Sequence, residues 1–125
     1  MDFSRYEIKI KVGGVEYPAR YTVAAYLHNL KQREKYGDMT ELPESTQQEL
    51  LFKMATVYIN GAIKARNICA PAPQPLLGDD DILYLALPDE IEGIFNAVAE
   101  LTTLGNMRSV QTEDEVDPTK KAIAE

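Results

Sequence analysis

From Glu7 to Tyr21 the chain alternates polar and apolar residues, and the only interruption is the pair Gly13 and Gly14 in "IKIKVGGVEYPARYT". A period of two marks a half-buried strand. If the glycines form a two-residue loop, one face collects Val12 with Val15, Ile10 with Tyr17, Ile8 with Ala19 and Tyr6 with Tyr21. The other face collects Lys11 with Glu16, Lys9 with Pro18 and Glu7 with Arg20. A one-residue slip would mix the two sets, so the register is self-consistent. Gly-Gly suits a type I′ loop, which needs positive φ at both central residues. A phosphate-binding loop would need further glycines or a Gly-Lys-Ser/Thr leading into a helix, whereas this pair leads into a strand. The pattern therefore predicts a β-hairpin over about 5–12 and 15–21. Pro18 falls in a non-hydrogen-bonded pair, so its missing N–H points away from the hairpin and marks a sheet edge. The apolar face then needs helices to cover it.

Periodicity changes to that of a helix after Thr22, a candidate N-cap. Val23, Tyr26, Leu27 and Leu30 predict a helix over about 23–36 that stops at Gly37. "GDMTELPE" reads as a loop, and "STQQELL" as a capping box of Ser45 and Gln48 opening a second helix over about 46–66. There Leu50, Leu51, Met54, Tyr58, Ala62 and Ile63 form a broad stripe widened by Phe52, Ala55 and Ile59, suited to a central position or to a second subunit. Pro71, Pro73 and Pro75 make the following stretch an extended connector of polyproline character. "ILYLAL" at 82–87 fits either a short strand or a helical turn capped by Asp80 or Asp81. A last helix over about 89–104 starts at Pro88 or Asp89 and closes at Gly105, with Ile91, Ile94, Phe95, Val98, Leu101 and Leu104 on one face. Residues 108–125 are polar and acidic and read as a flexible tail. The expected fold is α+β, a hairpin packed on a helical bundle in a single domain over 1–107.

Charge sharpens this picture. The net charge of −7 divides unevenly: residues 1–78 carry ten Lys+Arg against eight Asp+Glu, while residues 79–125 carry three against twelve. An acidic balance argues against nucleic acid, which requires a basic footprint, and leaves either a basic protein partner or simple solubility. No apolar stretch approaches the roughly 20 residues that span a bilayer. The opening "MDFSRYEIKIK" lacks an apolar signal region, so a soluble cytoplasmic protein with no membrane partner is expected. A single cysteine, Cys69, fits a reducing compartment.

Candidate chemistry is sparse. His28 is the one histidine and sits beside an apolar stripe with no Ser or Cys motif. Together with Cys69 it falls short of a zinc ligand set. Asp79, Asp80 and Asp81 lack the alternating spacing of a calcium loop. No catalytic, cofactor-binding or metal-binding residues are expected, and the chain reads as a non-enzyme.

The "GGVEYPARYT" hairpin running into a helix, a helical middle and the closing "DEIEGIFNAVAEL" helix resemble phage and prophage tail assembly chaperones. Those proteins begin with an "I-x-I-x-G-x-x-Y" hairpin ending in Thr, matched here by Ile8, Ile10, Gly13, Gly14, Tyr17 and Thr22. The resemblance spans about 105 residues; the proline-rich connector and "ILYLAL" depart from it. It implies a protein of the bacterial host cytoplasm, without cofactor, that binds the tape measure protein and recruits tail tube protein during virion assembly. On this reading the two apolar helices form a groove for an amphipathic client helix, with Tyr58, Ile59, Ile94, Phe95, Val98 and Leu101 as candidate partner-binding residues. The alternatives are a virion structural or tail-completion component, a generic protein-interaction module, and an enzyme built on carboxylates. An edge strand and wide apolar helix faces also lead us to expect a homo-oligomer.

Overall fold

The computed structural model describes the backbone of residues 7–116 and the side chains of residues 7–105. Strands β1 (Glu7–Val12) and β2 (Val15–Arg20) form a two-stranded antiparallel sheet with every described pair in the expected register. The expected partner of Tyr21, Tyr6, lies outside the described residues. Gly13 and Gly14 take φ of 60° and 80°, the left-handed values that a type I′ turn demands. Glu7, opposite Arg20 in the register, forms a salt bridge with Arg66 of the long second helix.

Helix α1 (Val23–Tyr36) begins where expected: Thr22 Oγ1 accepts from the Ala25 N–H at 3.1 Å, and Gly37 ends it at φ 71°. A single 3-10 turn, Met39–Glu41, leads into α2 (Glu44–Cys69). This helix does not use the predicted Ser45 capping box. Pro43, with φ −55°, occupies the N-cap position. Its neighbour turn is tied instead by Gln47, whose side-chain amide donates to the Leu42 carbonyl at 2.7 Å. The helix also runs three residues beyond the expected end at 66, because nothing before Pro71 disfavours it.

The connector after α2 is extended as predicted, and its path has a simple cause. Asn67 donates to the Gln74 carbonyl and accepts from the Gln74 N–H, at 2.9 and 2.8 Å. Asn60 does the same to Leu77, at 2.8 and 2.9 Å. Seven helical residues rise about 10.5 Å and return to nearly the same face. Three polyproline residues advance about 9.3 Å and complete one turn. The two periods match, so paired asparagines can strap the connector back along α2.

"ILYLAL" resolves as the helical alternative, α3 (Asp81–Leu85), in which only Ile82 is buried. After a 3-10 turn at Pro88–Glu90, α4 (Ile91–Val116) completes the fold. Two expectations are corrected here. Gly105 does not close the helix, and 108–116 continue it where a flexible tail is expected; 117–125 lie outside the described residues. The helix needs glycine at 105 for another reason: a Cβ there would stand 2.6 Å from ring atoms of Tyr21. The core lies between the sheet and the two long helices, joining Ile10, Val12 and Ala19 to Tyr58, Ile59, Ile94, Val98 and Leu101.

Candidate functional site

The residues expected to grip a partner are occupied by the fold itself. Tyr58, Ile59, Ile94, Val98 and Leu101 are each at most 1 % exposed, and Phe95 is half-buried with its ring 4.9 Å from that of Phe52. The physical reason is that α2 and α4 do form a groove, but the hairpin fills it, β2 lying on α2 and β1 on α4. A client could reach these side chains only by displacing the hairpin.

The unpartnered apolar surface lies on α1 instead. Sequence periodicity assigns Val23, Tyr26 and Leu27 to the buried face, yet they are 75 %, 47 % and 47 % exposed, and Ala25 is the one buried residue of the helix. The start of α1 approaches α2 closely, since a Cβ on Gly61 would lie 3.1 Å from the Thr22 side chain, and the small Ala25 is the residue that is buried just after it. Single exposed leucines carry little meaning, but a contiguous patch does.

This patch continues into a cleft of about 640 Å³ lined by Tyr26, Leu30, Tyr36, Met39, Leu50 and Met54, with Asn29, Gln32, Arg33, Asp38 and Thr102 as its polar groups. Its floor is fixed by a directional chain of hydrogen bonds. Asn29 donates to the Tyr58 hydroxyl at 3.1 Å, Tyr58 donates to Thr102 Oγ1 at 2.7 Å, and Thr102 donates to the Val98 carbonyl at 2.8 Å. Burial raises the Tyr58 hydroxyl above its ordinary pKa, so it stays protonated in this chain. Asp38, at the cleft's rim, is held below its usual value by the Thr40 hydroxyl and N–H. His28 makes only long contacts, 3.4 Å to Asn29 and to Gln32, and Cys69 is exposed on the far end of α2. Among the described residues no group of three or more His, Cys, Asp or Glu is placed to hold a metal ion.

The glycine turn holds a feature that sequence reasoning missed. Gly13 N–H and Gly14 N–H donate to the two carboxylate oxygens of Glu90 at 2.7 and 2.9 Å, and Leu87 N–H donates to the same carboxylate at 2.8 Å. Successive N–H groups of this kind form an anion-binding concavity. Here the anion is the chain's own, and it ties the hairpin tip to the start of α4. The bond from Leu87 is the main cause that holds the Glu90 carboxyl below its ordinary value of 4.5, with the glycine N–H groups and Lys11 adding to it against the opposing effect of burial. A carboxylate depressed on folding stabilises above its unfolded pKa and loses that contribution as pH falls through the folded one. Glu90→Gln should thus be less stable than wild type at pH 7, and the gap should close on acidification below about 4.5. Urea unfolding at a series of pH values checks this; a gap constant with pH would refute it. Asp38 shifts in the same direction, so the variant should retain some acid sensitivity.

Among the described residues, no helix is long and apolar enough to cross a membrane. No family model, curated protein or solved structure matches the chain.

Proposed function

We propose that this chain is a non-enzymatic tail assembly chaperone that acts in the bacterial cytoplasm and holds a hydrophobic helical segment of the tape measure protein before tail tube subunits assemble on it. The observation that carries the reading is the exposed apolar stripe of α1 opening into an aromatic and methionine-lined cleft. An amphipathic client helix presents anchors at i, i+3, i+4 and i+7, the spacing that such a stripe and cleft accept. Methionines at 39 and 54 suit a surface that takes varied apolar side chains. The N-terminal hairpin and its Thr-capped helix support the same reading through their resemblance to that family.

Co-expression with a tape measure segment and affinity capture tests it. Wild type should retain the segment, and Val23→Glu with Leu27→Glu should reduce retention by at least about ten-fold. Both positions are exposed, so the circular dichroism spectrum should not change. No capture by intact wild type, or equal capture by the variant, would overturn the proposal. Mass spectrometry of purified particles separates it from a virion component, since a chaperone should be absent from them. Homo-oligomerisation belongs to the same reading, and light scattering that gives only 14.0 kDa at every concentration would remove it.

A further inference from the structure

A second apolar surface lies at the other end of the hairpin. Ile82 points into the core, and because successive helical positions turn by about 100°, the next three residues of α3 sweep around its outer side. Leu83, Tyr84 and Leu85 are accordingly 45 %, 84 % and 48 % exposed, and Leu87 and Ile91, which follow them in the chain, are 49 % and 38 % exposed, so the segment presents an apolar ridge of five large side chains. Acidic groups border it. Asp79, Asp80, Asp81, Asp89 and Glu92 are exposed, and no Lys or Arg occurs from 79 to 92. On the hairpin side two cations, Lys9 and Lys11, line a small second cleft with Leu87 and Asp89.

We infer that this ridge is a docking surface for a basic amphipathic helix of a protein partner. The argument is charge complementarity around an apolar centre. The partner's apolar face covers Leu83, Leu87 and Ile91 around Tyr84, an exposed aromatic of the kind that anchors interfaces. Its Lys and Arg side chains lie over Asp79 to Asp81, Asp89 and Glu92, which speeds encounter and selects against acidic helices. The ridge is held ready for this. Glu90 is bonded to the Gly13–Gly14 turn, and the Leu85 carbonyl lies 2.8 Å from where a Cβ on Gly13 would be, so the hairpin tip fixes both ends of the segment. Preorganisation of this sort lowers the ordering cost of binding. This goes beyond the chaperone reading and uses different residues: α1 starts at the base of the hairpin, and the six residues of β2 separate it from the tip by roughly 20 Å.

Fluorescence anisotropy with the full chain tests the inference, using a labelled Leu/Lys amphipathic helical peptide and its Leu/Glu twin. The Lys peptide should bind and the Glu twin should not. Tyr84→Ser with Leu87→Ser should weaken binding by at least about ten-fold. Asp80→Asn with Glu92→Gln should weaken it mainly at low salt, because exposed charges are screened at high salt. The loss in the Tyr84 variant should be the same whether or not a tape measure segment is present, which separates this surface from the α1 cleft. Equal binding of both peptides, or full binding by the Tyr84 variant, would overturn the inference. So would self-association of the wild type that Tyr84→Ser reduces to a 14.0 kDa species, since the ridge would then serve a second copy of this chain.

Discussion

Gly13→Ala should destabilise the protein by about 2–4 kcal/mol, while Gly14→Ala, one residue away, should cost only about 1–2 kcal/mol. Both positions have positive φ, 60° and 80°, so both variants incur the left-handed penalty of any L side chain. The difference comes from what a Cβ would meet. At Gly14 nothing lies within 4 Å, whereas at Gly13 the Leu85 carbonyl oxygen lies at 2.8 Å. That neighbour is backbone and cannot swing aside. Either the hairpin tip lifts from α3 or the Leu85 peptide shifts, and either movement disturbs the N–H groups that hold Glu90. Urea denaturation of the two variants beside wild type measures the difference directly. Equal losses would mean that the approach of Leu85 carries no energetic weight.

The hairpin was legible because its information is local. Alternation with period two and one Gly-Gly pair leave a single register, and the observed pairs from Val12↔Val15 to Glu7↔Arg20 follow it. Thr22 and Gly37 were legible for the same reason, since a cap is decided within one turn. What escaped the sequence depends on contacts between distant segments. Glu90 reads as an acid at a helix N-terminus, and nothing near it reveals that its partners are N–H groups 76 and 77 residues earlier. The six candidate residues on α2 and α4 share the apolar seam between the two long helices, but periodicity gives no means of knowing that the chain's own hairpin fills it. Periodicity alone places leftover apolar surface on the two long helices. Most of it lies on α1 and α3, where only Ala25 and Ile82 are fully buried, while Ile91 and Leu104 of the expected apolar face of α4 are 38 % and 41 % exposed as well. The signal available beforehand was accounting: one short sheet cannot cover four amphipathic elements.

Gly105→Ala is the second large effect, and its sign is set by tertiary contact against helix propensity. In an isolated helix the change would stabilise by about 1 kcal/mol, because alanine loses less backbone entropy than glycine. In this chain the new methyl would stand 2.6 Å from Cγ, Cδ1 and Cε1 of Tyr21, far inside contact distance. Tyr21 has little freedom to yield, since its ring packs at 5.7 Å on Tyr58, which is fully buried and bonded to both Asn29 and Thr102. Overpacking of this kind costs about 1–3 kcal/mol, so the net effect should be destabilising. The test is a double-mutant cycle. In a Tyr21→Ala background the obstruction is gone, and Gly105→Ala should become neutral or stabilising by up to about 1 kcal/mol. A change of sign between the two backgrounds would establish that Tyr21 is what requires glycine in the middle of α4. Destabilisation of the same size in both would assign the requirement to some other neighbour of the helix.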